Sequence, residues 1–100
     1  MYAMTMEVPA PVELYDKIHA ELLRRTTGSV EGLLVHIGRA TARGFEVIEI
    51  WESREQFEHF AQEVNSVVAD LSQGDFPLAA GAVTEFDLRG FLVPTAKIFQ

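Results

Sequence analysis

Residues 32–60 read GLLVHIGRATARGFEVIEIWESREQFEHF, and along this stretch the spacing of apolar residues changes once. As far as Trp51 they alternate on either side of the turn residues TARG (41–44), as the two strands of a hairpin do. The register follows from side-chain type. If paired residue numbers sum to an odd total, Leu33, Val35 and Ile37 share a face with Ile48 and Ile50, leaving Leu34, His36 and Gly38 beside Phe45, Val47, Glu49 and Trp51. An even total would mix these sets, and a slip of one residue sends every side chain to the other face, so the uniformly apolar set selects the odd register. As the register is an expectation, turns of two, three or four residues remain possible.

Beyond Trp51 the period becomes helical. Ser53 stands three residues before Gln56, the spacing of a capping box, and Glu55 lies in the first turn, where the helix dipole favours an acid. Phe57, Phe60, Ala61, Val64, Val67, Val68 and Leu71 then form one broad apolar stripe. Before the hairpin, YAMTMEV (2–8) alternates Tyr2, Met4, Met6 and Val8 against Ala3, Thr5 and Glu7. Pro11 suits the first turn of the helix that follows, where its missing N–H costs nothing. From Val12 to Thr26 one face collects Val12, Tyr15, Ile18, His19, Leu22, Leu23 and Thr26, with Glu13, Asp16, Lys17, Ala20 and Arg24 opposite. Gly28 in TTGS is a natural left-handed stop. SQGDFPLAAG (72–81) reads as a loop, and AVTEFDLRGFLV (82–93) as a closing strand that alternates Thr84, Phe86 and Leu88 against Glu85, Asp87 and Arg89.

The order strand, helix, strand, strand, helix, strand predicts an α+β fold: one ferredoxin-like domain over residues 1–100, a four-stranded antiparallel sheet with both helices on one face. The middle strands, however, carry large apolar residues on both faces. A second copy of the sheet would cover the face without helices, which predicts a homodimer with the sheets face to face.

Eight Lys and Arg are scattered among fifteen Asp and Glu, for a net charge of −7. Nucleic acids and anionic membrane surfaces are therefore disfavoured as partners, since phosphate binding depends on clustered cations. The chain has no cysteine, no secretory leader pattern and no apolar run of membrane-spanning length, and a cytoplasmic protein is expected.

The segment GFEVIEIWESREQFEHF (44–60), with its glycine turn, apolar strand, Trp-Glu-Ser and amphipathic helix, resembles the dimeric α+β barrel superfamily, which includes the antibiotic-biosynthesis-type monooxygenases. GLLVHIG (32–38) and FLVP (91–94) look like a group of uncharacterised bacterial members. The resemblance implies two ferredoxin-like subunits closing into a barrel, and ligand binding between helix and sheet. Some members oxidise quinol-like aromatics with oxygen and no cofactor, and others degrade haem. The haem-degrading pattern would place a Trp at Phe60, a His near Asp70 and an Asn near Glu7. None of these residues matches, so that activity is not implied here.

The candidate catalytic residues are His36, His19 and Glu49. His36 lies in an otherwise apolar strand with Glu49 or Trp51 opposite or diagonal to it. Glu49 could orient the imidazole to take a proton from a phenol. Alternatively the two form a structural polar pair inside the dimer barrel. His19 interrupts an apolar helical stripe near Tyr15, either as a satisfied core histidine or as a pocket residue. Tyr15, Trp51, Phe57 and Phe60 are candidate ligand-binding residues, with core packing as the other account of them. His59, between Glu55 and Glu63 at helical spacing, reads as part of a solvated face, and no metal site is expected. There is no phosphate loop, nucleophile elbow or paired-histidine helix, and Ser53 is explained as a cap. Two functions follow: a cofactor-independent monooxygenase acting on a small phenol or quinol, or a non-catalytic dimer that binds a small ligand or serves a structural role.

Overall fold

The computed structural model describes residues 1–72 and 82–92. Among these the order is β1 (Tyr2–Val8), α1 (Val12–Thr26), β2 (Leu33–Ala40), β3 (Phe45–Trp51), α2 (Arg54–Ser72) and β4 (Ala82–Glu85). The strands form one antiparallel sheet in the order β2-β3-β1-β4, the ferredoxin-like arrangement. The loop expected at 72–81 lies, beyond Ser72, outside the described residues.

The hairpin adopts the odd register: Val35 faces Ile50, His36 faces Glu49 and Ile37 faces Ile48. Four residues make the turn, closed by Thr41 N–H to Gly44 O at 2.9 Å and Gly44 N–H to Thr41 O at 3.3 Å. One expectation fails at the far end of β2. A register shift between Leu33 and Val35 sets Leu33 opposite Trp51, so Leu33 leaves the Val35–Ile37 set. The extra residue of a β-bulge has this effect, because two residues of one strand then oppose one of the other.

Capping explains the helix ends. Ser53 Oγ accepts the Gln56 N–H at 3.2 Å and donates to Gln56 Oε1 at 3.0 Å, fixing the start of α2. At the end of α1 it is Thr27, not Gly28 alone, that turns left-handed, with φ of 56° followed by 81° at Gly28. The Thr26 hydroxyl supports this turn by accepting the Gly28 N–H at 3.3 Å and donating to Leu22 O at 2.7 Å.

The helices cover the sheet face that carries Phe45, Val47, Glu49 and Trp51, all buried. Two packed clusters hold them there: Val8, Ala10, Phe45 and Val47 under the start of α1, and Ile18, Val67 and Val68 between α1 and α2. Leu14, outside the predicted stripe, packs against both clusters, whereas Leu23 and Leu71, inside the stripes, are more than 40% exposed. The other sheet face is unevenly covered. Ala3 and Ile50 are buried, but Ile37 is 48% exposed, in a row with the half-buried Ile48 and Thr5 and the exposed Thr84. The closing strand is shorter than expected: pairing ends at Glu85, and one further bond runs from Phe86 N–H to Ala3 O at 3.1 Å.

Candidate functional site

The register of the β2–β3 hairpin decides the site. With His36 opposite Glu49 on the helix-covered face, His36 Nδ1 and Glu49 Oε2 stand 2.7 Å apart. The other carboxylate oxygen accepts the Trp51 indole N–H at 3.0 Å. Glu49 is only 6% exposed, and two donors are what a buried carboxylate needs. With an acceptor at Nδ1, that nitrogen is the one that carries the N–H in the neutral form of the imidazole. Nε2 then becomes the acceptor, and it lies 2.7 Å from the Tyr15 hydroxyl, which donates to it. The result is a continuous chain, Tyr15–His36–Glu49–Trp51, that crosses from α1 through β2 to β3.

Gly38 is the residue that lets Tyr15 reach across. A Cβ at this position would stand 2.2 Å from Tyr15 Cζ and 2.3 Å from its hydroxyl oxygen. The tyrosine ring lies over the bare backbone of β2, a close approach that no other residue type permits. Sequence reasoning placed Gly38 on this face without seeing its purpose; the signal was a lone glycine inside a strand pattern.

His19, one turn along α1 from Tyr15, completes an aromatic group. Its ring centroid is 5.5 Å from that of Tyr15 and 5.8 Å from that of His36, and the planes lie within 17° and 12° of parallel. Burial, and then the neighbouring His36, lower the His19 pKa below its ordinary value, with Asp16 opposing them. At neutral pH His19 is therefore uncharged. Burial, and then the Glu49 and Asp16 charges, raise the Tyr15 pKa, so its hydroxyl keeps its proton.

These groups border a cavity of about 340 Å³ between the helices and the sheet. Its walls include Phe45 and Val47 from the sheet, Ile18 from α1, and Phe57, Phe60 and Val64 from α2. The His36–Glu49 pair thus lies beneath the helices, not inside a barrel between two sheets, because its parity matches Phe45 and Val47 and not Ile48 and Ile50. Of the four aromatics expected to meet a ligand, Tyr15, Phe57 and Phe60 border the cavity. Trp51 does not. It is fully buried, with its ring against Phe57 and Phe60 at 6.0 and 5.6 Å, and its indole nitrogen is committed to Glu49. His59 lies elsewhere, exposed along a wider polar cleft near the start of α2 that it shares with Glu55 and Glu63.

No family model and no curated protein sequence matches the chain. Among solved structures, the chain is similar to a monooxygenase from the gene ActVA-Orf6 of Streptomyces coelicolor, crystallised in complex with the ligand nanaomycin D. The two are 17% identical, with a TM-score of 0.53 over 94% of this chain and 90% of that one. The chain shares that monooxygenase's fold. In fold, the likeness agrees with what the resemblance of residues 44–60 implied, and it spans nearly the whole chain. Architecture is what passes between proteins this far apart in sequence; the roles of Tyr15, His19, His36 and Glu49 rest on their own geometry. Among the described residues no helix is long and apolar enough to cross a membrane.

Proposed function

We propose that the chain is a cytoplasmic, homodimeric monooxygenase that oxidises a small phenol or quinol with dioxygen and without a bound cofactor. The observation that carries this reading is the hydrogen-bonded chain Tyr15–His36–Glu49, whose three members border a largely apolar cavity. Apolar walls with a few convergent polar groups are the usual form of a small-molecule site, and a fully packed core would have favoured a structural role instead. The fold shared with a monooxygenase lends support.

Both nitrogens of His36 are engaged, so its access to substrate runs through Tyr15. The Tyr15 oxygen accepts the substrate's phenolic proton as Tyr15 passes its own to His36 Nε2, and Glu49 stabilises the imidazolium. The raised Tyr15 pKa is no obstacle, because the two transfers are concerted and no free tyrosinate forms. The phenolate gives one electron to dioxygen, and the two radicals join in a C–O bond at a hydrogen-bearing ring carbon ortho or para to the hydroxyl. The proton held on His36 returns through Tyr15 to the outer oxygen, forming a hydroperoxide. Loss of the carbon-bound hydrogen as a proton, with cleavage of the O–O bond and release of hydroxide, leaves a quinone and water. One phenol and one dioxygen give one quinone and one water.

A second copy is proposed for the open part of the sheet, where Ile37 is half exposed beside Ile48. The enzymatic reading is tested by oxygen uptake with a panel of phenols and hydroquinones, no cofactor added, for the native protein, Tyr15→Phe and His36→Ala. Uptake above autoxidation, with one quinone formed per oxygen consumed, should fall at least about 100-fold in both variants while the fold persists by circular dichroism. Uptake that never exceeds autoxidation, or that survives both substitutions, sinks the oxygenase and leaves a ligand-binding dimer.

A further inference from the structure

The cavity's charge inventory suggests which aromatics it accepts, an inference that rests on the small-molecule site proposed above. Among the described residues no lysine or arginine borders the cavity, and Glu49 is the one carboxylate that does. Its two oxygens are held by His36 Nδ1 at 2.7 Å and Trp51 Nε1 at 3.0 Å, and with the imidazole in its neutral form the carboxylate's negative charge is oriented but not cancelled. Of the remaining polar groups at the wall, Tyr15 and Asn65 are uncharged. His19 is uncharged as well at neutral pH, since burial and His36 both disfavour its cation. Among the described residues no hydrogen bond reaches the His19 ring, which leaves it able to meet a polar atom of a ligand.

We infer that this site selects uncharged aromatic alcohols and turns away aromatic carboxylates, with Glu49 as the residue that sets the choice. An alcohol brings a donor and an acceptor, and both the Tyr15 hydroxyl and the His19 ring can satisfy it without any net charge being buried. A carboxylate of the same ring size must leave water for apolar walls that, among the described residues, offer it no cation and hold the Glu49 carboxylate. An unpaired buried charge is the most heavily penalised group in a protein interior. The cavity's volume of about 340 Å³ limits the water that can enter with the ligand and screen the repulsion.

The test is calorimetric binding at pH 7.5 under anaerobic conditions, using 1-naphthol and 1-naphthoate, which share a ring system and differ in charge. Naphthol should bind, and naphthoate should bind at least about 100-fold more weakly. In Glu49→Gln, which keeps the shape and removes the charge, the ratio should shrink to below about tenfold, mainly because naphthoate improves. Should Glu49→Gln fail to fold by circular dichroism, His19→Arg replaces it. An added cation at the cavity wall should bring naphthoate to at least the affinity of naphthol. Comparable binding of the two ligands to the native protein, an unchanged ratio in the folded variant, or no binding of naphthol overturns the inference. Because oxygen is absent, the two proposals fail separately. Selective binding with no oxygen uptake on any phenol defeats the oxygenase and leaves the selectivity. Uptake on hydroxynaphthoates as fast as on naphthol defeats the selectivity and leaves the oxygenase.

Discussion

The two faces of β3 use the same strand for opposite ends. Toward the helices it presents Phe45, Val47, Glu49 and Trp51, all buried, and into this apolar set it admits one carboxylate with both oxygens engaged. Toward the other side it presents Glu46, Ile48 and Ile50, and the open part of that face, around Ile37 and Ile48, carries apolar surface and none of the Tyr15–His36–Glu49 chain. Burial is thus where the polar chemistry lies, and exposure is where the apolar surface remains. In a protein built only for stability the assignment would be reversed. On the function proposed above, the covered face is the one that would serve a ligand and the open face the one that would meet a second copy.

The sharpest way to break this division is Gly38→Ala. The new methyl group must displace the Tyr15 ring, so oxygen uptake should drop about 100-fold or more, as removal of a proton relay does. Thermal unfolding should record an overpacking cost of about 1–3 kcal/mol. If the relay is the target, adding Tyr15→Phe to Gly38→Ala should bring no further loss; an additional large drop would locate the damage elsewhere. On the open face, Ile37→Glu should weaken self-association by about 2 kcal/mol or more, seen as monomer in sedimentation velocity at concentrations where the native chain is paired. Naphthol affinity should be unchanged in this variant, and a parallel loss of binding would show that the faces are not independent.

A smaller effect is expected where the cavity's roof begins. Ser53→Ala removes the hydroxyl that accepts the Gln56 N–H, and should cost about 1 kcal/mol in denaturant unfolding with the site's geometry intact. The smallest concerns His19. Its folded pKa is lowered, so below pH 6.5 the unfolded chain binds more protons than the folded one at this residue. The stability attached to neutral His19 is complete above pH 6.5 and is lost as pH falls through that value toward the folded pKa. Melting temperatures of His19→Gln measured from pH 7.5 to 5.5 should therefore fall less steeply than those of the native protein. Equal slopes would show that His19 is not the group being titrated.

Much of this was legible because it is local. The face of each hairpin residue came from parity, which set His36 on one face with Phe45, Val47, Glu49 and Trp51; the structure chose Glu49 as its direct partner. The Ser53 cap came from a spacing of three residues. The order of elements followed from where the apolar period changed. What escaped the sequence depends on how elements meet. Periodicity places Leu23 and Leu71 on apolar stripes but does not say where the neighbouring surface ends, and both project past it. The shift at Leu33 and the early end of β4 depend on the partner strand as much as on their own residues. Trp51 was read as a pocket aromatic because its residue type suits one; its burial behind Glu49 is set by α2, whose Phe57 and Phe60 fill the space beside it.

The sequence by itself therefore determined the alternation of strands and helices, the parity of the hairpin and the shared face of His36 and Glu49, since each is fixed by neighbours within one or two elements. Only the tertiary structure decided that Tyr15, twenty-three residues before Gly38, closes the hydrogen-bonded chain over it, and that the same face holds a cavity. That contact needs α1 at one height and angle above β2. Those are set by the packing of Val8, Ala10, Phe45 and Val47 beneath the helix, a sum of contacts that no single stretch of the chain encodes.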